Sequence, residues 1–339
     1  MATMRDVAQA AGVSAMTVSN VLNGRRGRVS PATVRLVEEA IARLGYVPDG
    51  AARALSARSS GIVALVYRGS DDDGPALANP HDSVLVGEVE RRVSRSGRHL
   101  MIHAAEDVVT TAGNLRTWNV DGAILLGVLA PQVAELRRLS DVPMVLVDTA
   151  DAAIATVGVD DVGGGYLAGA HLAGLGHRRL AFVGPDATIG GVIADRYRGW
   201  RTALTEHGAG PDLVLRTPAS SFEAGLDAAA RLLAAPEPPT AVFCTADVLA
   251  IGVLKGLLAA GVRVPQDVSV VGFDDLPECR HLTPALSSVR QDVRAKGRTA
   301  VDLLTQLIGR PGGAGDVTPP RTTLPVELVP RETVAPPPV

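Results

Sequence analysis

Apolar residues along the chain change their spacing near residue 60, and the change separates two kinds of structure. Before it they recur at helical intervals. Val7, Ala8 and Ala11 fall on one face of a first short helix, and Val18, Val21 and Leu22 on one face of a second. Val34, Val37, Ile41 and Leu44 form the inner stripe of a third. The boundaries carry matching signals. Thr3 can cap the first helix with Asp6 at the capping-box position, and Gly12 ends it. Ser14 caps the second. Ser30-Pro31 opens the third, with Pro at its first position, and Gly45 stops it.

From Gly61 onward, strand-like apolar runs alternate with helical patterns. The runs lie at 62–67, 100–103, 122–126, 144–147, 180–183, 241–244 and 268–273. Helices are predicted at about 83–97, 131–139, 163–176, 195–207, 222–235, 248–260 and 292–309. Continuous apolar strands alternating with helices imply parallel sheets covered on both faces. There are too many strands for one comfortable sheet, so two doubly wound α/β lobes with a cleft between them are expected. Ligands of such lobes sit at the carboxyl ends of strands.

The first two helices, joined by the tight turn at Gly12, have the pattern of a helix-turn-helix. Small Ala8 lets them approach closely, and the second would lie in a DNA major groove. An ordinary packed helix pair is the alternative. Charge distribution favours the first reading. Residues 1–59 hold eight Arg against four acids, a net of +4, whereas the whole chain carries −3. A basic head on an acidic body suits a protein that sets one end on phosphate. Residues 46–57 read as a linker, too short to be helical alone without DNA or a partner copy to order it.

Hydrophobic residues make up 46% and aromatics only 3%, so the core is aliphatic. The two cysteines, Cys244 and Cys279, suggest no disulfide framework, which fits a cytoplasmic setting. The N-terminus does not read as a signal peptide, and no apolar run is long enough to span a bilayer. No nucleophile elbow, Walker loop, zinc-protease or Cys-x-x-Cys motif occurs, so no catalytic residues, metal or cofactor are expected. His99 and His103 share a strand face too far apart for one metal, and His177 reads as a local cap. Asp71-Asp-Asp73 reads as a solvated turn, and residues 310–320 as a flexible loop.

Several stretches together resemble the lactose-repressor (LacI) family of transcription regulators. The head carries Asp6-Val-Ala-x-x-Ala-Gly-Val-Ser14, Thr17-Val-Ser-x-Val-Leu-Asn-Gly24 and Leu44-Gly-Tyr-x-Pro48. The body carries Leu175-Gly-His-Arg178, Arg196-x-x-Gly-Trp200, Asp267-Val-Ser-Val-Val-Gly-Phe-Asp-Asp275 and Ser288-Val-Arg-Gln291. The resemblance implies a helix-turn-helix domain at 1–48, a hinge helix or linker at 49–60 and a periplasmic-binding-protein-like effector core at 61–332. The first lobe would take about 61–162 and 291–322, the second about 163–290 and 323–332, with crossings near 160–163, 289–292 and 320–323. Residues 333–339 would be a flexible tail.

The same resemblance implies the partners and the sites. A homodimer would bind a near-palindromic double-stranded operator, without membrane contact, and a sugar or nucleoside-like effector would sit in the cleft. Ala15, Met16 and Asn20 would face base edges; Thr17, Ser19 and Asn23 would touch phosphate. Arg53 and Leu55 lie in the hinge, where the Leu pair enters the minor groove. Asp148, Arg196, Asp247 and Asp274 would line the effector site, with Gln291 on a crossing segment. Asp247 and Asp274 can alternatively be read as helix caps. Several positions depart from the family. Asn20 stands where many members carry Arg, Ala246 replaces a frequent Asn, and Ser220 occupies a position where an aromatic can stack on a sugar. His81 and Asp82 replace the usual aromatics after Asn79-Pro80, facing either the ligand or the surface. A two-lobed sugar-binding protein with no DNA role is the rival reading.

Overall fold

The computed structural model describes residues 2–22, 27, 29–47, 59–69, 79–149, 153–210, 212–309 and 319–338. The chain divides into two compact units, 1–62 with 119–121, and 63–118 with 122–339.

In the first unit, α1 (Met4–Ala11), α2 (Ala15–Leu22) and α3 (Pro31–Leu44) surround a small aliphatic core. Its caps are the ones read from sequence. The Asp6 N–H donates to Thr3 Oγ1 at 3.3 Å while the Thr3 N–H donates to Asp6 Oδ2 at 2.8 Å. Gly12 turns the chain at φ 66°, where a side chain would be strained. The Thr17 N–H donates to Ser14 Oγ at 3.1 Å, and the Thr33 N–H to Ser30 Oγ at 3.2 Å. Val7, Val18 and Val37 are completely buried. The stripe on α3 differs at its end. Ala40 is buried while Leu44, in the last turn, is 37% exposed, and Tyr46 packs on the core instead. In the same unit, Asp121 accepts bonds from Ser59 Oγ, the Ser60 N–H and the Gly61 N–H at 2.6–3.0 Å.

The second unit contains two six-stranded sheets. The first lobe is built from β1 (Ile62–Arg68), α4 (Pro80–Arg95), β2 (His99–Ala105), α5 (Val108–Ala112), β3 (Gly122–Leu126), α6 (Val133–Leu139), β4 (Met144–Val147) and β5 (Ala155–Val159). The second holds α7 (Asp161–Gly174), β6 (Leu180–Gly184), α8 (Gly191–Glu206), β7 (Leu213–Arg216), α9 (Phe222–Leu233), β8 (Ala241–Cys244), α10 (Asp247–Ala259), β9 (Ser269–Asp274) and β10 (Ser287–Gln291). The chain then returns to the first lobe with α11 (Val293–Ile308) and β11 (Arg321–Leu324), and ends in the second with β12 (Val326–Val329). The sheet orders are β11-β5-β4-β3-β1-β2 and β12-β10-β9-β8-β6-β7. β12 runs antiparallel to β10, whereas β9 runs parallel to it.

The lobes are thus crossed at Asp160, Asp292 and Pro325. The third crossing lies beyond the expected 320–323, because Arg321–Leu324 pairs along β5 in the first sheet. Two crossings double as helix starts: Asp160 Oδ1 accepts the Gly163 N–H, and Asp292 Oδ1 the Ala295 N–H, both at 2.8 Å. β5, β7, β10, β11 and β12 were not expected, since they are short and several mix polar with apolar positions.

The expected flexible tail is corrected as well. Thr333 is buried and its carbonyl accepts the Val270 N–H at 2.9 Å. Ala335 exchanges two bonds with Ser269 Oγ, at 3.0 and 3.1 Å. His177, expected as a local cap, is buried between Thr240 Oγ1 and the Ala335 carbonyl, each at 2.9 Å. The Pro residues of this segment lack an N–H, but its carbonyls, the Ala335 N–H and the Thr333 hydroxyl all bond to the second lobe. Residues 23–26, 48–58, 70–78 and 310–318 lie outside the described residues, and with them most of the expected linker, the acidic turn and most of the expected loop.

Candidate functional site

The carboxyl ends of the central strands meet in a cleft between the lobes. Asp148 follows β4 at φ 59°, an unusual conformation for a non-glycine residue, and its N–H donates to the Val157 carbonyl at 2.9 Å. It borders two adjoining cavities of about 400 and 300 Å³. The larger is also lined by Thr149, Asp161, Asp195, Arg198 and Arg321. The smaller is lined by Tyr67, Arg68, His81, Asp82 and Val86.

Behind Asp148 stands Lys296 of α11. Its ammonium, in a side chain 1% exposed, lies 2.8 Å from both carboxylate oxygens. Burial works against the Asp148 charge, but Lys296, His81 and Arg196 outweigh it, so the carboxyl sits below its ordinary range. Asp148 Oδ1 still lacks a well-directed donor. Across the cleft, Arg196 of α8 is buried. Its Nε–H donates to Asp161 Oδ1 at 2.8 Å, its Nη1–H to the Thr245 carbonyl, and its guanidinium lies 3.5 Å over the Phe273 ring. Asp274, at φ 122°, accepts from Gln291 Nε2 at 2.6 Å, and the buried Gln291 Oε1 has no partner among the described residues. Buried acceptors left unmade are costly unless something else completes them, and a ligand rich in hydroxyls would do so.

Asp148, Asp274 and Gln291 stand at strand ends, while Arg196 lies in the second turn of α8, which begins at Gly191 rather than near 195; of the four, Asp148 alone lines the two cavities. Asp247 is different. It is completely buried inside the second lobe. Its Oδ2 accepts the Leu276 N–H at 2.8 Å and the Cys279 thiol at 3.1 Å, and its Oδ1 accepts Ser288 Oγ–H at 2.6 Å. Both of its oxygens serve the loop after β9 and the start of β10, so the expected ligand contact is corrected to a structural one. Burial, then the nearby Asp274 charge, push its carboxyl from 3.8 up to about 8, and the three donors only partly oppose this. The folded chain thus holds a proton there that the unfolded chain releases. Stability should be fullest at low pH and fall as pH rises through about 8. Asp247→Asn, neutral at every pH, should flatten that fall in urea unfolding followed between about pH 6 and 9. Ser220 is half-buried in the bend before Ser221, the cap of α9, and borders neither cavity.

Lys296 and Asp161 were not anticipated. The signal for Lys296 was present: it lies on the apolar stripe of α11 with Val293, Ala300 and Leu304. A lysine at such a position is buried and needs an acid. On the head, Ala15 and Met16 are exposed at the start of α2, Met16 by 69%, while Ser19 and Asn20 are half-buried. The Thr17 hydroxyl is bonded to Ser14 Oγ at 2.9 Å, a capping arrangement. Asn23, Arg53 and Leu55 lie outside the described residues.

Comparison with known proteins agrees with both units. Residues 3–49 match the model for bacterial regulatory proteins of the lacI family, and residues 170–334 that for a periplasmic binding protein-like domain. The ribose operon repressor of Escherichia coli K12 is 36% identical over 322 residues, covering 92% of this chain and 94% of the repressor. The chain belongs to the lacI family. Lac repressor, solved as a dimer bound to operator and the anti-inducer ONPF, superposes on this lacI-family chain with a TM-score of 0.84 at 29% identity, over 98% of this chain and 99% of the other. The transcriptional regulator CelR in complex with cellobiose superposes with a TM-score of 0.72 at 31% identity, over 98% and 100%. Among the described residues, no helix is long and apolar enough to cross a membrane, and no cluster of three metal-ligating side chains occurs.

Proposed function

We propose that this chain is a ligand-responsive, sequence-specific transcriptional repressor, acting in the cytoplasm as a homodimer on a near-palindromic operator. A small sugar-like effector occupies the interlobe cleft, and the protein turns over nothing that it binds. The observation that carries this reading is one chain holding both an exposed start of α2 on a helix-turn-helix and an interlobe cleft lined by Asp148, Asp161, Asp195, Arg198 and Arg321. Carboxylates and a guanidinium accept and donate in fixed pairs, as vicinal hydroxyls require. Among the relatives, one is named a ribose operon repressor, lac repressor is solved bound to operator, and CelR is solved in complex with cellobiose, which supports the same assignment here. Ligand closure would alter operator occupancy through a coupling of about 1–3 kcal/mol.

Ala15 and Met16 can touch a thymine methyl but cannot read guanine through paired bonds, and Asn20 suits adenine. Selection from a randomised palindromic duplex library should return salt-sensitive, sequence-specific sites. Asn20→Arg should move one half-site position from A·T toward G·C, by about tenfold in preference. An unchanged preference at every position would remove Asn20 from base reading. Absence of specific duplex binding in any ligand state would favour a sugar-binding protein without a DNA role.

A further inference from the structure

Within the first unit, one side chain from the residue before β3 fastens the chain just ahead of β1. Asp121, half-buried, accepts four hydrogen bonds from residues 59–61, which lie 60–62 positions earlier. Its Oδ2 takes the Ser59 Oγ–H at 2.6 Å and the Gly61 N–H at 3.0 Å. Its Oδ1 takes the Ser60 N–H at 2.6 Å and the Ser60 Oγ–H at 3.0 Å. The Asp121 N–H donates to the Ile62 carbonyl at 2.8 Å, and the Ile62 N–H to Ser60 Oγ at 3.1 Å. Gly61 stands at φ 72° with open space where a side chain would be, so it is needed for its conformation and not for room. That bend turns two successive backbone N–H groups toward one carboxyl.

The sheet holds together without this clasp. β1 and β3 are already paired in parallel from Val63 and Gly122 to Val66 and Leu125. The four donors lie ahead of β1, on the last residues of the stretch that joins the helix-turn-helix to the effector core. Bonds to a carboxylate are among the stronger hydrogen bonds, and here they fix the direction from which the chain enters β1. A dimer grips two half-sites together only when both heads reach them. The effective concentration of the second head depends on the length and stiffness of its connection. Release of residues 59–61 would lengthen and loosen that connection on both subunits. The core of the head would be untouched, since its members all lie within residues 4–46.

We propose that Asp121 is a positioning residue for operator binding: by clasping residues 59–61 it sets where the linker leaves the core, and so which half-site spacing the dimer accepts. It acts through the linker and reads no base. This rests on the repressor reading above and adds a determinant of operator geometry to it.

The test is fluorescence anisotropy of the full-length chain on three kinds of duplex: the palindrome returned by selection, the same palindrome with its centre lengthened or shortened by one or two base pairs, and a single half-site. The wild-type chain should favour one spacing by about tenfold or more. Asp121→Ala should bind that duplex about tenfold more weakly and vary by less than about threefold across the spacings. On the single half-site it should match wild type. Asp121→Asn keeps one acceptor oxygen, and Ser59→Ala with Ser60→Ala removes the two hydroxyl donors, so both should give intermediate profiles. An Asp121→Ala profile parallel to that of wild type, or an equal loss on the single half-site, would overturn the role of Asp121 and leave the repressor reading standing. Should Asp121→Ala fail to fold, wild-type spacing profiles in both milder variants would overturn it equally. If the wild-type chain binds no selected duplex, the repressor reading fails and this inference fails with it.

Discussion

Replacing Asp148 with Ala is expected to lower the stability of the core by about 3 kcal/mol. The reason lies in its partner. Lys296 is 1% exposed and both of its short contacts are to the Asp148 oxygens. Without the carboxylate, an ammonium is left in the interior beneath the first sheet. The loss falls at the lower end of the usual range for a broken buried pair, because the Asp148 side chain is itself 23% exposed to the cleft. Lys296→Met should cost less, about 1–2 kcal/mol, since the remaining carboxylate can draw water from the cleft. The double variant should recover most of what Asp148→Ala loses. Urea unfolding of the four chains gives the cycle directly. If Asp148→Ala unfolds within about 0.5 kcal/mol of wild type, Lys296 is solvated and the pair contributes nothing.

The second large effect concerns the crossing of α7 and α8. A methyl group on Gly199 would lie 1.8 Å from the Val162 carbonyl oxygen, and one on Gly165 would lie 1.9 Å from that of Arg196. Both obstacles are backbone atoms in regular helix and cannot rotate aside. Gly199→Ala should therefore destabilise the second lobe by about 3 kcal/mol or more, above the usual cost of overpacking a core with movable side chains. It should also weaken effector binding, because Arg196 lies one turn away on the same helix and pairs with Asp161 at the start of the other. Gly174→Ala is the control. Nothing stands within 4 Å of its added carbon, so it should be neutral or gain a few tenths of a kcal/mol. Thermal unfolding and calorimetry of both variants would decide the matter. Equal stabilities would mean that the two helices can separate without loss.

Much of the fold could be read from local pattern. The head followed from three periodic stripes with a cap at each start, and those caps recur with the expected partners. The central strands announced themselves as runs of Val, Leu and Ile because they are covered on both faces. Strands such as Ser287–Gln291 and Arg321–Leu324 escaped notice for the opposite reason: their polar side chains find partners or solvent, so composition alone reads them as coil. The candidate site divides in the same way. Asp148 and Asp274 were legible because a polar residue after an apolar strand has a defined place in α/β lobes. Lys296 was hidden in a helix whose inner face could be drawn but whose partner could not. His81 and Asp82 stood between cleft and surface until α4 was placed.

By itself, the sequence determined the three helices of the head with their caps, the central apolar strands of both lobes and most of the helices between them, and the family to which the chain belongs. These depend on residues within a few positions of one another, through side-chain period, capping and turn conformation. Only the tertiary structure decided what becomes of each buried polar group. Asp148 and Lys296 are 148 positions apart and form one ion pair. Asp247 is claimed by three donors from 276, 279 and 288 rather than by a ligand. The Pro-rich end is bound through Thr333 and Ala335 to β9. A charge or lone pair removed from water must be met by whatever chain lies beside it, and that neighbour is chosen by packing rather than by local spacing.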